Sequence, residues 1–247
     1  MSTHNRISLA GVDLAWQSEK NPSAIAYGCL DGAVLTVTKV DPVVSGIDDV
    51  LNQLTSIVGL QGIAIDAPLI INNVSGQRLC EKEIGREYGS RHAACHTSNT
   101  KLYPDAKSVY LSKKLEQAGF SHLTGDHWQI ECYPHPAIIE IFGLKERLKY
   151  KKGKVVEKKQ GQKMLAQLIL ELRTSKLLRM TVGNDVMHVL DEGYIDSLVG
   201  QGLKSNEDAL DSIICLYIAG LYEGNFSGQV FGDDDAGYIW VPQCVCV

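Results

Sequence analysis

The stretch Arg6-Ile7-Ser8-Leu9-Ala10-Gly11-Val12-Asp13-Leu14-Ala15-Trp16 decides how this chain is read. It is apolar over a strand's length and carries one acid, Asp13, near its end. Such a run predicts a strand buried on both faces. A carboxylate there is unfavourable unless it is paired or holds a cation. Three later segments offer acids that can meet it: Asp66, Glu131 and the pair Asp208/Asp211. The expectation is a fold that brings these carboxylates together.

The strands around that stretch follow from composition and turn chemistry. Ser23 to Leu30 and Ala33 to Val40 are β-rich runs flanking Asp31-Gly32, a hairpin signal, so the first three strands form an antiparallel meander. Ile47, Val50, Leu51, Leu54, Ile57 and Val58 then keep helical spacing behind Ser45, a capping residue. Gly62-Ile63-Ala64-Ile65-Asp66-Ala67-Pro68 is the next buried strand. A right-handed crossover makes it parallel to its neighbour in the sheet. That neighbour is expected to be the first strand. Asp13 and Asp66 then lie side by side at carboxyl ends, where open α/β sheets build sites.

Beyond Pro68 the pattern loosens. Residues 70–125 read as a helical insertion, with helices over Gln77 to Tyr88 and Ser108 to Gln117. Its Arg78, Arg86, Arg91 and Lys101 make it a candidate substrate-gripping element. His127 to Tyr133 reads as a fifth strand with Glu131 on its polar face, stopped by Pro134 and Pro136. A basic run over about 145–163, with Gly153 at its centre, predicts a loop; its Lys151, Lys152 and Lys154 are candidate phosphate contacts. Helices are expected over Gly161 to Lys176, Asp185 to Val199 and, capped by Asn206, Glu207 to Tyr222. A terminal hairpin joins Val230-Phe231 to Tyr238 to Val241.

The totals bound the class. The chain has 247 residues, 45% of them hydrophobic, enough for one domain with a full core. A formal net charge of −5 argues against indiscriminate nucleic-acid binding and leaves room for a local basic groove. No signal peptide or membrane-spanning run is read, and seven scattered cysteines point to reduced thiols and a cytoplasmic location. Cys80, His92, Cys95, His96 and the pair Cys244/Cys246 match no zinc-knuckle spacing. No Gly-x-Ser-x-Gly elbow is present.

Asp208 and Asp211, three apart, share a face of the last helix. The helix dipole accounts for Asp208 near an amino terminus, whereas Asp211 lies on the apolar stripe continued by Ile214, Cys215 and Ile218. Converging carboxylates repel one another, and divalent metal relieves that repulsion; oxygen ligands suit Mg2+ or Mn2+. Two such ions, about 4 Å apart, serve phosphodiester hydrolysis. Asp13, Asp66, Glu131, Asp208 and Asp211 are therefore the candidate catalytic residues for phosphoryl hydrolysis as a class; nucleic acid is the candidate partner, and composition leaves open which polymer is cut, or whether one is cut at all.

Five motifs carry a resemblance. Gly11-Val12-Asp13-Leu14-Ala15, Ala64-Ile65-Asp66-Ala67-Pro68, Arg78-Leu79-Cys80-Glu81, Glu131-Cys132-Tyr133-Pro134 and Glu207-Asp208-Ala209-Leu210-Asp211 resemble, in that order, domain-of-unknown-function family 429, a family of predicted RNase H-like nucleases. The resemblance spans Gly11 to about Tyr222. It implies a ribonuclease H-like α/β fold: a five-stranded mixed sheet, antiparallel over strands 1–3 and then parallel, with helices on both faces. The last motif also resembles Holliday-junction resolvases of that superfamily. By that likeness Asp13, Asp66, Asp208 and Asp211 are metal ligands, and a homodimer is an open state; Glu131 is carried over as a motif residue alone.

Two other readings stand beside the nuclease. An ATP-dependent phosphotransferase of the actin and sugar-kinase type shares the sheet topology. Asp13-Leu14-Ala15-Trp16 lacks the glycine that such enzymes place after the first-strand aspartate, and the chain is short for two copies of the fold. A non-catalytic nucleic-acid or protein-binding module is the other.

Overall fold

A computed structural model describes residues 6–17 and 21–243. The turn expected from Gln17 lies partly outside them, and Cys244 and Cys246 lie wholly outside. Strands β1 (Ile7–Asp13), β2 (Ser23–Asp31) and β3 (Val34–Val44) form the antiparallel meander. The tight turn is Gly32-Ala33, one residue later than expected, with Gly32 at φ +58°. Helix α1 (Ile47–Thr55) crosses over to β4 (Leu60–Asp66), which pairs parallel with β1. Gly46 precedes α1 at φ +86° without a side-chain cap, so Ser45 does not take that role.

The insertion contains α2 (Leu79–Tyr88) and α3 (Lys107–Gln117). Then come β5 (Ser121–His122), β6 (Trp128–Glu131) and α4 (Pro134–Ile141), whose first-turn prolines suit a helix start. Helix α5 (Val155–Glu171), β7 (Arg179–Val182), the short α6 (Glu192–Ser197), the long α7 (Gly200–Glu223) and the hairpin β8 (Gly228–Asp233) and β9 (Gly237–Pro242) complete the chain.

The main sheet has seven strands in the order β5-β6-β4-β1-β2-β3-β7. The five expected strands occupy its middle, and β5 and β7 extend the two edges. Neither was expected: β5 has only two residues, and β7, Arg179–Val182, lies between the helices expected to end at Lys176 and to start at Asp185. Apart from the meander, neighbouring strands pair parallel. The basic run is a loop only as far as Lys154, because α5 begins at Val155. Helix α7 begins at Gly200, so Asn206 is an interior residue and Asp208 lies two turns inside the helix, away from the amino-terminal dipole.

Alternation along the strands decides which side chains meet. Leu9 of β1, Ala64 of β4, and Trp128 and Ile130 of β6 join the core under α7, with α4 and α5. Ala10, Val12, Ile63 and Ile65 join the opposite core with α1 and α3. Helices therefore cover both faces. Asp13 and Asp66, in step with Leu9 and Ala64, belong to the α7 side. Among the described residues no helix is long and apolar enough to cross a membrane.

The α7 side is built on close backbone contact. A Cβ added to Gly11 would lie 2.0 Å from Leu216 N and 2.4 Å from Ser212 O, both backbone atoms of α7. Gly11→Ala must push the helix off the sheet. The expected loss is about 3 kcal/mol or more, read as a lowered urea midpoint. An unchanged midpoint would contradict this packing.

Candidate active site

The parallel register pairs Asp13 with Asp66 at the ends of β1 and β4. From α7, Asp208 and Asp211 face the same place; Asp211 is fully buried and Asp208 is 6% exposed. The four carboxylates act on one another electrostatically, Asp13 with Asp208 and Asp66, and Asp211 with the other three. Burial pushes the Asp13 carboxyl up to about 7, against the pull of Lys151 and with help from Asp208. Burial also raises Asp66, far above its ordinary range, and Asp208 and Asp211.

The positive charge here comes from two lysines. Lys151 Nζ lies 2.6 Å from Asp211 Oδ2, and Tyr150 Oη donates a hydrogen bond to Asp211 Oδ1 at 2.6 Å. Burial works against the Lys151 charge, yet Asp211, Tyr150, Asp13 and Asp66 together hold its pKa well above the ordinary lysine value. Lys204, one turn before the acids on α7, donates to Glu207 Oε1 at 2.9 Å and to Asp208. Sequence reasoning placed Lys151 on a phosphate-binding loop and missed its insertion among the carboxylates. It also passed over Lys204, Glu207 and Tyr150. Lys204 was legible as a partner at i+3 and i+4; nothing in the local pattern marks Tyr150.

Glu131 stands beside the four aspartates rather than among them: it acts electrostatically on Asp66, and the two line a narrow hollow of about 80 Å³ with Arg78. Trp128 and Ile130 face α7, so the alternation turns Glu131 to the opposite face of β6. That face is not solvated, as expected, but buried: Glu131 is 3% exposed. Arg78 closes on it with two hydrogen bonds, Nη1 to Oε2 at 2.9 Å and Nη2 to Oε1 at 2.6 Å. Leu69 N donates to Oε2 at 2.8 Å. Arg78 Nε also donates to Glu81 at 2.9 Å, and Nη1 to Ile70 O at 3.0 Å. Burial raises the Glu131 pKa and Arg78 opposes the rise. Arg78 is thus a buried pairing residue and takes no part in a solvent-facing grip.

A cleft of about 650 Å³ opens over Asp13 and Asp66. Trp16, Tyr133 and His135 line it, together with the loop Arg147 to Gly153. Of the seven basic residues expected to grip a substrate, Lys151 and Lys152 line this cleft. Lys154 stands exposed just past it at the start of α5. Arg86 and Lys101 are exposed elsewhere on the insertion. Arg91 pairs with Glu140 at 2.8 Å and donates to Leu144 O at 2.7 Å. A hollow of about 660 Å³ lined by α1 and α3 holds none of the expected site residues.

A family profile described as a protein of unknown function, domain-of-unknown-function family 429, matches residues 11–236. The chain belongs to this family. Neither curated proteins nor solved structures yielded a match. All five motifs quoted from the sequence fall inside the matched span, so the family 429 motifs contribute to two different clusters. Its first, second and fifth motifs supply the four aspartates. Its third and fourth supply Arg78, Glu81 and Glu131, the buried network that adjoins Asp66.

The two clusters respond differently to substitution. Asp13 keeps its proton to about pH 7 when folded, against an ordinary value of 3.8. Between those values the native state binds more protons than the unfolded chain, so stability falls as pH rises through that window. Asp13→Asn removes this loss. In metal-free buffer its Tm should exceed wild type above pH ~7, by about 2–4 °C for each ~1 kcal/mol relieved, and the gap should close toward pH ~4. A pH-independent gap would contradict the assignment. Arg78→Met strands two buried glutamates and should lose about 3–5 kcal/mol in chemical denaturation; a loss under ~1 kcal/mol would refute the paired network.

Proposed function

We propose that this protein is a metal-dependent nuclease on a ribonuclease H-like sheet, hydrolysing phosphodiester bonds of nucleic acid. One observation carries the reading: Asp13 and Asp66, register partners on neighbouring parallel strands, meet Asp208 and Asp211 of α7 beneath a cleft edged by basic side chains. The sheet supports the same reading. Its five central strands, antiparallel over the meander and parallel beyond, agree with the mixed sheet that the resemblance implies, although two edge strands bring the total to seven.

The donor set fits a hard divalent ion, because all four side chains offer carboxylate oxygen. Lys151 and Lys204 also leave the cluster short of positive charge, since Asp13 retains a proton to about pH 7. Among the described residues, no three His, Cys, Asp or Glu side chains stand as a ready-made metal group, and Lys151 lies among the carboxylates. Mg2+ or Mn2+ therefore binds in competition with this ammonium, held by Asp13, Asp66, Asp208 and Asp211. When bound, such ions activate a water and stabilise a leaving oxygen. The chain's own part is positioning. Tyr150 orients Asp211, Lys204 restrains Asp208, and Arg147 and Lys152 draw a phosphate to the rim.

The Lys151–Asp211 ion pair also favours a second reading, a binding module in which lysine supplies the cation and no metal enters. Calorimetric titration of Mn2+ separates the two. Wild type should bind Mn2+, and Asp13→Asn and Asp66→Asn should lose that binding and abolish any Mn2+-dependent cleavage. Their circular dichroism should stay native. Equal Mn2+ binding by wild type and Asp13→Asn, or none by either, would sink the nuclease proposal.

A further inference from the structure

The proposed activity leaves the form of the nucleic acid open. We infer, resting on that reading, that the cleft admits a single strand, with one unstacked nucleotide at a time over the carboxylates. Burial is the first argument. Asp211 is fully buried and Asp208 is 6% exposed, with Lys151 and Tyr150 on Asp211. Phosphates fixed on the convex cylinder of a double helix follow a concave floor less readily than those of a flexible single strand, and here only Asp13 and Asp66 reach the cleft, with Asp208 and Asp211 behind them. The cleft of about 650 Å³ is the size that encloses a small ligand, and so a nucleotide or two.

The lining makes the second argument. Arg147 and Lys152 supply charge for a backbone phosphate, while Trp16 and Tyr133 supply aromatic surface. Trp16 remains partly exposed although it packs on Tyr103 with ring centroids 4.6 Å apart. Ring faces beside cations are how single strands are held, because an unstacked base offers its π-face and a paired one hides it. His135 lines the same cleft, and its buried Nδ1 has no hydrogen-bond partner among the described residues.

The third argument distinguishes a strand from a free nucleotide. Lys145, Lys149, Lys152 and Lys154 are exposed along the loop that borders the cleft, and Lys149 Nζ lies 3.7 Å from Glu146. A mononucleotide can use one or two of these charges. Successive phosphates of a strand can use them all, and each neutralised phosphate adds to the salt dependence.

The test is fluorescence anisotropy in EDTA, so that cleavage does not intervene. A short labelled single strand, the blunt duplex of the same sequence and the matching free mononucleotide are compared at one salt concentration. The strand should bind at least ~10-fold tighter than either. Trp16→Ala should weaken strand binding roughly tenfold to a hundredfold. Because Trp16 also packs on Tyr103, a Lys149→Ala/Lys152→Ala variant, altered only at exposed positions, should independently lower both affinity and salt slope. Duplex binding equal to or tighter than strand binding overturns the inference and leaves the nuclease reading standing. So does a mononucleotide that binds as well as the strand. No binding of any nucleic acid overturns both.

Discussion

The contact of Gly11 with α7 is the constraint on which the rest depends. With no side chain at Gly11, the backbone of Ser212 to Leu216 lies directly on β1. From that contact, two residues along the strand, about 6.6 Å, reach Asp13. Four residues back along the helix, about 6 Å, lead from Cys215 to Asp211. The steps nearly match and run in opposite chain directions, so the acids of the two elements arrive together. A bulkier residue at 11 would separate them. Gly28 extends the same accommodation to β2, where an added Cβ would lie 2.9 Å from a Leu216 side-chain carbon. The apolar sheet face and the acid cluster are thus products of one packing decision.

That decision forces a charge problem. Four aspartates and Glu207 gather at and beneath the floor of the cleft, and the protein answers with two lysines of different origin. Lys204 comes from α7 itself, one turn from its partners, so it accompanies the helix wherever that packs. Lys151 comes from the loop between α4 and α5 and meets Asp211 from outside the sheet. Each ammonium carries one charge, and the cluster carries more. The proton on Asp13 makes up part of the difference. A site that keeps a proton to about pH 7 for want of positive charge is one in which an added cation is favoured electrostatically.

Much of this was legible because it depends on short-range pattern. The buried strands, the hairpin turn and the crossover helix follow from alternation, glycine placement and handedness, and together they put Asp13 beside Asp66. Asp211 was legible as an acid on an apolar helical stripe. What escaped depends on what covers a surface. The alternation of β6 correctly placed Glu131 on its polar face, but only the fold shows that face buried, with Arg78 closing on it. The start of α7 was misread because Asn206 is a good cap residue and Gly200 a poor helix former; packing overrode both. Lys151 looked like every other lysine of its run, since nothing local distinguishes the one that turns inward.

The two acid clusters also differ in saturation. Around Arg78, each carboxylate is met by directed donors: Glu131 accepts from Arg78 and Leu69 N, and Glu81 accepts from Arg78, Arg78 N and Ser98. A buried ion pair completed in this way resists any change, because removing one partner strands the others. Its position explains its use, for it ties α2 of the insertion to β6 and to the chain leaving β4. The aspartate cluster is not completed. Asp211 Oδ2 has the Lys151 charge beside it but no hydrogen bond of good geometry, and the cleft reaches Asp13 and Asp66. Carboxylates that hold a fold are satisfied by the fold; carboxylates left partly unsatisfied, against a cleft, retain capacity for something the chain does not itself provide.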